Sequence, residues 1–157
     1  MLWYSDAVSY IKNGCAMTGM VYRHEPMGAL PVGHYSLMNL ENINVYTNHY
    51  GGVVVGKLWG DIDNCNVTKS SVSLTPDGYQ GAWDNGDKAG GIVGWAENGV
   101  ISNCSVSEST ISAYRDLGGI VGCVIYEGRN TKIINNTVNE VVLSYDKSGK
   151  VYKNSQE

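Results

Sequence analysis

A glycine-flanked apolar pair recurs along this chain and constrains its fold more than any other feature. The two clearest copies are Gly90-Gly91-Ile92-Val93-Gly94 and Gly118-Gly119-Ile120-Val121-Gly122. After a variable stretch, each copy is followed by an Asn with small or aliphatic neighbours. Four segments align on that Asn: Leu40-Glu41-Asn42-Ile43-Asn44-Val45, Ile62-Asp63-Asn64-Cys65-Asn66-Val67, Ile101-Ser102-Asn103-Cys104-Ser105-Val106 and Ile133-Ile134-Asn135-Asn136-Thr137-Val138. Agreement in residue type at so many fixed offsets indicates an internal repeat.

The repeat unit varies in length, because the aligned Asn residues are 22, 39 and 32 residues apart. The extra residues lie at two points of the repeat unit. At the first point they are residues 74–89 in one unit and residues 113–117 in the next. At the second point they are residues 123–132. Constant strands with variable loops are typical of a solenoid, whose strands must match the neighbouring coil while its corners face solvent. The 20 Gly, 11 Tyr and only three Pro favour strands and turns over helices. The sequence predicts an all-β fold, a right-handed parallel β-helix of about four to five coils with variable corner loops.

The Asn of each repeat is predicted to form a corner of the coil. Ile101 has opposite parity to Cys104 and Val106, so a straight strand would place them on opposite faces. A bend at Asn103 returns all three to the interior, and Asn tolerates the left-handed conformation that a corner requires. Stacked coils would then align a buried amide ladder, although the same residues could be unrelated turn asparagines. The predicted ladder consists of Asn42, Asn64, Asn103 and Asn135.

The cysteines give no sign of a metal site, because the chain has no CxxC pair and no His at ligand spacing. We therefore expect no metal and no cofactor. In the alignment Cys65 and Cys104 share a column with Ile43 and Asn136, which predicts small buried groups. A disulfide between the neighbouring coils is the alternative.

The repeat resembles the glycine-rich GLUG repeats of bacterial surface proteins, which occur in adhesin-like chains and in the non-catalytic front parts of immunoglobulin-A-cleaving metallopeptidases. The resemblance lies in the Gly-Gly-Ile-Val-Gly segments and the Asn-centred segments that follow them, and it covers roughly residues 28–143. It implies a β-helix and a surface or secreted setting. We expect one domain over residues 1–157, with a cap or degenerate coil in 1–27, repeat coils in 28–145 and a polar tail in 146–157.

Charge and hydropathy exclude two classes of partner. The net charge is -4 and basic residues do not cluster, so the chain lacks the electrostatic footprint of a nucleic-acid-binding protein. No apolar run approaches the ~20 residues that span a bilayer. The first residues also lack the features of a signal peptide. We expect a fragment of an exported protein, located at the cell surface or secreted.

Catalysis on a β-helix needs clustered carboxylates on neighbouring coils. The alignment places Glu41 and Asp63 in one outer column, about 5–6 Å apart. No Lys or Arg shares that column, and an exposed sheet face ordinarily carries such residues. His24, His34 and His49 have no nucleophile at a recognisable spacing. We expect a non-catalytic adhesion or scaffold module; the alternatives are a polysaccharide lyase or glycosidase, and a multimeric spike-like module.

The insertion in residues 74–89 is the strongest local departure from the repeat. Its turn-forming dipeptides predict a loop that holds aromatic rings outside the core. A ring beside amides and carboxylates suits a sugar, whereas the simpler interpretation is that the rings cover the side of the coil. Part of the segment resembles a calcium loop but lacks its distal acidic ligands. The candidate ligand-binding residues are Trp83, Tyr79, Asp84, Asn85 and Asp87.

Two kinds of partner follow from these features. A glycan or a host surface protein would bind the corner loop. Self-association would occur through the open end of the last coil, near residues 141–145, because an uncovered parallel edge is a site for pairing with another chain.

Overall fold

The computed structural model describes residues 10–11, 33–47, 50–74, 88–124 and 130–145. Every regular element in these residues is a β-strand. All strand pairs are parallel except one, in which β1 (Tyr10–Ile11) runs antiparallel to β4 (Asn44–Thr47). Within the described ranges no helix has the length and apolar character to cross a membrane.

The chain passes repeatedly through four sheets, and each pass places its strands beside the equivalent strands of the previous pass. The first sheet contains, in spatial order, β1, β4, β8 (Ser71–Leu74), β12 (Thr110–Ala113) and β17 (Val142–Tyr145). The second contains β14 (Val121–Val124), β10 (Val93–Ser102), β6 (Val55–Asp63) and β2 (Gly33–Ser36), and β15 (Thr131–Ile134) also pairs with β10. The third contains β16 (Thr137–Asn139), β11 (Ser105–Ser107), β7 (Asn66–Thr68) and β3 (Asn39–Glu41). The fourth contains β13 (Leu117–Gly118), β9 (Lys88–Gly90) and β5 (Tyr50–Gly51).

We refer to the successive passes as coil 1 (β2–β4), coil 2 (β5–β8), coil 3 (β9–β12) and coil 4 (β13–β17). The predicted all-β class is confirmed, and parallel strands in stacked sheets are consistent with a β-helix. Its handedness and the number of coils in the whole chain remain predictions. The domain boundaries also remain predictions, because most of residues 1–27 and all of 146–157 lie outside the described ranges.

The core is narrow and consists of columns of aliphatic side chains, one from each coil. Ile62 and Ile101 share one column, and Val67 and Val106 share the next. In coils 2 and 3 these residues are 0 to 1 % exposed. In the first and third sheets the strands are short, and each strand of coils 2 and 3 contributes one or two buried side chains before the chain turns.

The glycine pairs of the repeat are explained by close backbone contacts rather than by side-chain packing. A Cβ atom on Gly90 would lie 2.1 Å from the carbonyl oxygen of Val93, within its own turn. A Cβ atom on Gly91 would lie 2.3 Å from the carbonyl oxygen of Gly119, in the next coil. Only Gly allows both the tight turn and the close approach of the coil above.

The alignment of the first repeat from sequence is wrong by five residues. Tyr35 pairs with Ile62, so the residue beside Asn64 is Leu37 and not Asn42. Equivalent residues of coils 1 and 2 are 27 positions apart, as for Asn39 and Asn66. The error has a physical reason: each coil has two similar corners, and Asn42 occupies the second one.

Two columns of left-handed residues form these corners. The first corner contains Leu37, Asn64, Asn103 and Asn135, with φ values of 57°, 52°, 53° and 55°. The second contains Asn42, Lys69, Glu108 and Glu140, with φ values of 59°, 48°, 48° and 53°. The prediction that Asn marks a left-handed corner is therefore correct for all four asparagines.

Candidate functional site

The four corner asparagines are exposed and do not form the predicted buried ladder. A residue in the left-handed conformation at an outward bend directs its side chain into solvent, so the side chains of these asparagines are not buried. The Nδ2 atom of Asn103 donates to Oδ1 of Asp63, 2.8 Å away in coil 2. The Ser102 hydroxyl donates to the same oxygen at 2.8 Å, and Asn64 Nδ2 donates to the other oxygen of Asp63. The Asp63 carboxylate is thus engaged in joining coils 2 and 3.

A hydrogen-bonded column does exist, but two residues after the first corner. Asn66 Nδ2 donates to Asn39 Oδ1 at 2.9 Å, and the Ser105 hydroxyl donates to Asn66 Oδ1 at 2.7 Å. These residues are adjacent in register. The sequence showed an Asn or Ser at this offset in coils 2 and 3, but the misaligned first repeat concealed Asn39.

A second column lies buried directly after the other corner. The Ser109 hydroxyl accepts a bond from the backbone N–H of Ser70 at 3.0 Å and donates to the carbonyl of Ser107 at 2.6 Å. The Ser70 hydroxyl accepts from the N–H of Ile43 at 3.1 Å in the same way. Because a buried N–H must have an acceptor, these serines replace the strand hydrogen bonds that the corner interrupts.

Asn136, at the first corner of coil 4, likewise supplies a side-chain acceptor for a backbone N–H of the neighbouring coil. Its Oδ1 accepts from the backbone N–H of Cys104 at 2.9 Å, and its Nδ2 donates to the carbonyl of Ile101 at 2.8 Å. A side-chain amide therefore does link neighbouring coils here, but it belongs to Asn136 and not to Asn135, which the sequence analysis selected.

The predicted pair of carboxylates is not formed. Glu41 lies beside Thr68 and makes an ion pair with Lys69 at 3.1 Å, whereas Asp63 lies between Ser36 and Ser102. The bond to Glu41 raises the pKa of Lys69. The shift in register places the two carboxylates at different corners of the coil. Among the described residues, no group of three or more His, Cys, Asp or Glu is placed to hold a metal ion.

Cys65 and Cys104 are buried free thiols in neighbouring coils. Asn136 lies in the same column, as predicted. The residue of coil 1 in this column is Met38 and not the predicted Ile43. The side-chain hydrogen bond with Cys65 raises the pKa of Cys104, and burial raises it further.

The register of the surrounding strands places the two ends of the insertion, Leu74 and Lys88, at one corner of the coil. The same corner runs from Thr47 to Tyr50 in coil 1, from Leu74 to Lys88 in coil 2, and from Ala113 to Asp116 in coil 3. Two residues complete it in coils 1 and 3, whereas residues 75–87 complete it in coil 2. The predicted site residues Trp83, Tyr79, Asp84, Asn85 and Asp87 all lie outside the described residues, and only the two ends of the loop are placed.

A cluster of two lysines and two aromatic rings holds the C-terminal end of this loop. Lys88 directly follows the insertion, and its Nζ lies 4.9 Å from the centre of the Trp95 ring and 5.5 Å from that of Tyr50. Lys57 Nζ lies 4.2 Å from the Trp95 ring. The two rings meet edge to face with their centres 4.9 Å apart. Both cations thus lie against aromatic rings at distances typical of cation–π contacts.

Glu97 supplies the anion of this cluster through an irregularity in β10. The register passes from Ala96 opposite Leu58 to Asn98 opposite Trp59, so Glu97 is one extra residue of β10 at a shift in the register with β6. Such a bulge redirects a side chain, and the Glu97 carboxylate lies 2.9 Å from Lys57 Nζ. Lys88 and Glu97 are only 7 % and 6 % exposed. Sequence reasoning missed the cluster because its members come from four strands, β5, β6, β9 and β10, which only the register brings together.

This cluster and the loop that it anchors form the candidate functional site. Its buried charges and rings fix Lys88, and Leu74 at the other end of the loop is fully buried. The arrangement places the two ends of the segment 75–87 at one corner of the coil.

The comparison with protein-family models supports the repeat. Residues 88–112 match the family described as the GLUG motif, which is found in bacterial surface-type repeat proteins. The matched segment extends from the first residue of β9 into β12 and therefore corresponds to coil 3. Neither the curated proteins nor the solved structures gave a match.

Proposed function

We propose that this chain, whose residues 88–112 carry the GLUG motif, is a non-catalytic adhesion module of a bacterial surface or secreted protein. In this proposal the coils form a right-handed scaffold of about four to five turns, in which each repeat stacks on its neighbours. The corner loop in residues 75–87 contacts a glycan on the target surface. Trp83 is the principal anchor, with Tyr79 beside it and Asp84, Asn85 and Asp87 forming polar contacts.

The observation that carries the proposal is the length of this one corner. Two residues complete the equivalent corner in coils 1 and 3, so the thirteen residues 75–87 exceed what the fold requires. Loops that are free of stacking constraints are where repeat proteins display recognition residues. An aromatic ring among amides and carboxylates suits the apolar face and the hydroxyl groups of a sugar.

Hydrogen bonds from two aspartates to the neighbouring coil support a scaffold role for the coils. Asp63 binds Ser102 and Asn103 of the next coil, and Asp61 accepts the backbone N–H of Val100 at 2.7 Å. Carboxylates engaged in this way hold neighbouring coils together.

The test is a glycan array with the intact chain and with a variant in which residues 75–87 are replaced by Tyr-Arg. That dipeptide is Tyr114-Arg115, which completes the same corner in coil 3. We expect the variant to fold, because the corner then matches its neighbour, and to lose glycan binding. The single variant Trp83→Ala should weaken binding at least about 20-fold, since a stacked anchor contributes roughly 2 kcal/mol or more.

The matched control is Tyr114→Ala, which removes an aromatic ring from the equivalent short corner. It should leave glycan affinity unchanged. Binding that survives the loop replacement would refute the proposed site. Cleavage of a bound polysaccharide by the intact chain would refute the non-catalytic role.

A further inference from the structure

Two buried cysteines occupy neighbouring places in one column of the core. The register of β10 and β11 with β6 and β7 places Cys104 beside Cys65, and the backbone N–H of Ser105 donates to the carbonyl of Cys65 at 3.0 Å. Neighbouring parallel strands are about 4.8 Å apart, which lies within the Cα separation of about 4.4–6.8 Å found in disulfides. The backbones of the two cysteines are therefore already spaced for a bond between their sulfurs.

The two side chains also point the same way and contact each other. Cys65 Sγ lies 3.5 Å from the carbonyl oxygen of Asp63, and Cys104 Sγ lies 3.1 Å from that of Ser102, which is two residues before it in the same manner. A side-chain hydrogen bond joins the two thiols, and it lowers the pKa of Cys65 while raising that of Cys104. The bond thus favours one thiolate, the form of cysteine that attacks a disulfide, beside one protonated thiol.

The surroundings of the pair allow one bond and a route for a small oxidant. The column continues with Met38 in coil 1 and Asn136 in coil 4. Neither side chain is a thiol, so a disulfide in this column joins coils 2 and 3. Both cysteines are at most 1 % exposed, but the Asn immediately before each of them is exposed. Local opening of this one corner is therefore sufficient to admit an oxidant.

We infer that Cys65 and Cys104 form a reversible disulfide that links coils 2 and 3 when a disulfide oxidant is present. The Cys65 thiolate attacks the oxidant, displaces one of its sulfurs as a thiolate and forms a mixed disulfide. Cys104 then loses its proton and attacks the Sγ atom of Cys65, which displaces the second sulfur of the oxidant. Two electrons and two protons pass from the protein to the oxidant, which becomes two thiols. The inference does not depend on glycan binding by residues 75–87.

Oxidised glutathione is the probe that tests the inference. The intact chain is equilibrated in a series of glutathione redox buffers with and without urea, the remaining thiols are blocked with N-ethylmaleimide, and peptide mapping locates the bonded cysteines. We expect one linked pair of peptides, which contains Cys65 and Cys104. Because the fold holds these sulfurs together, the equilibrium constant for closing the bond should be at least about tenfold larger in the folded chain than in urea. The oxidised chain should accordingly unfold at a higher urea concentration than the reduced chain.

Two variants assign the reaction to this pair. Cys15→Ser with Cys123→Ser removes the other two cysteines of the chain, and this variant should lose two hydrogen atoms on oxidation, as measured by intact mass. Adding Cys104→Ser leaves Cys65 alone and keeps a hydroxyl that can bond to the carbonyl of Ser102. That control should gain at most one glutathione and should show no shift in urea unfolding. Circular dichroism checks that both variants fold, and the mapping of the intact chain tests the inference without them.

Four results would overturn the inference. Equal equilibrium constants in the folded and the urea-unfolded chain would show that the register does not bring the sulfurs together. A bond from Cys65 to Cys15 or Cys123 in the intact chain would assign the site wrongly. A glutathione adduct that persists on Cys65 while Cys104 is present would show that the two sulfurs cannot meet. A lower unfolding midpoint for the oxidised chain would show that the stacked coils do not accommodate the bond.

Discussion

Replacing Gly91 with Ala should destabilise the protein strongly, because the added methyl group has no space between coils 3 and 4. Its Cβ would lie 2.3 Å from the carbonyl oxygen of Gly119 and 2.8 Å from both methyl groups of Val106. The oxygen belongs to the backbone of the next coil, and Val106 is fully buried, so neither can move away alone. Overpacking of this kind costs about 3 kcal/mol, at the upper end of the usual range. For a chain of this length that corresponds to a fall of about 6–12 °C in the melting temperature.

Gly119→Ala is the matched control, since Gly119 is the equivalent residue one coil further on. The three atoms nearest its Cβ would be side-chain atoms of Val138, at 2.8 to 3.4 Å, and Val138 is 49 % exposed, so its side chain has room to shift. The small cost is offset by about 0.4–1 kcal/mol from the less flexible unfolded chain, so melting should change little. Calorimetry of both variants checks the difference. Equal losses of stability would refute the claim that contact between successive coils explains the glycine pairs.

Three further predictions concern the corners. Ser109→Ala should cost about 1–3 kcal/mol in urea unfolding because it leaves the buried N–H of Ser70 without an acceptor, whereas Ser107→Ala should be nearly neutral; equal costs would contradict the buried serine column. Asn103→Leu should cost about 1–2 kcal/mol through left-handed strain, and an unchanged melting temperature would show that this corner is not strained. Glu108→Asn should stabilise the protein by up to about 1 kcal/mol, because Asn tolerates φ near 48° better than Glu; a lower melting temperature would contradict that reasoning.

The repeat was predictable from sequence wherever glycines and aliphatic residues alternate at fixed offsets. The strands around Ile62 and Ile101 and the corner at Asn103 are where the pattern placed them, because stacking allows few residue types there. Coil 1 was misaligned because Leu37 occupies a left-handed position that sequence statistics assign to Asn or Gly. Asn42 then matched the wrong corner.

The candidate site was predictable only in part. The length of the insertion before Gly90 identified the loop, since excess residues at a corner are visible in any alignment. The cluster of Tyr50, Lys57, Lys88 and Trp95 was not, because its formation depends on which residues of successive coils lie side by side. The turn of Glu97 toward Lys57 also follows from a one-residue bulge, and a single extra residue leaves no distinctive sequence signal.

The stacking register is the central claim, and nuclear Overhauser contacts between backbone protons of Val67 and its neighbours test it most directly. In the structure Val67 lies beside Leu40 on one side and Val106 on the other. We predict strong contacts from Val67 to both of these residues and none to Val45. A contact between Val67 and Val45, which alignment of the asparagines would require, would contradict the register and the placement of both corners that follows from it.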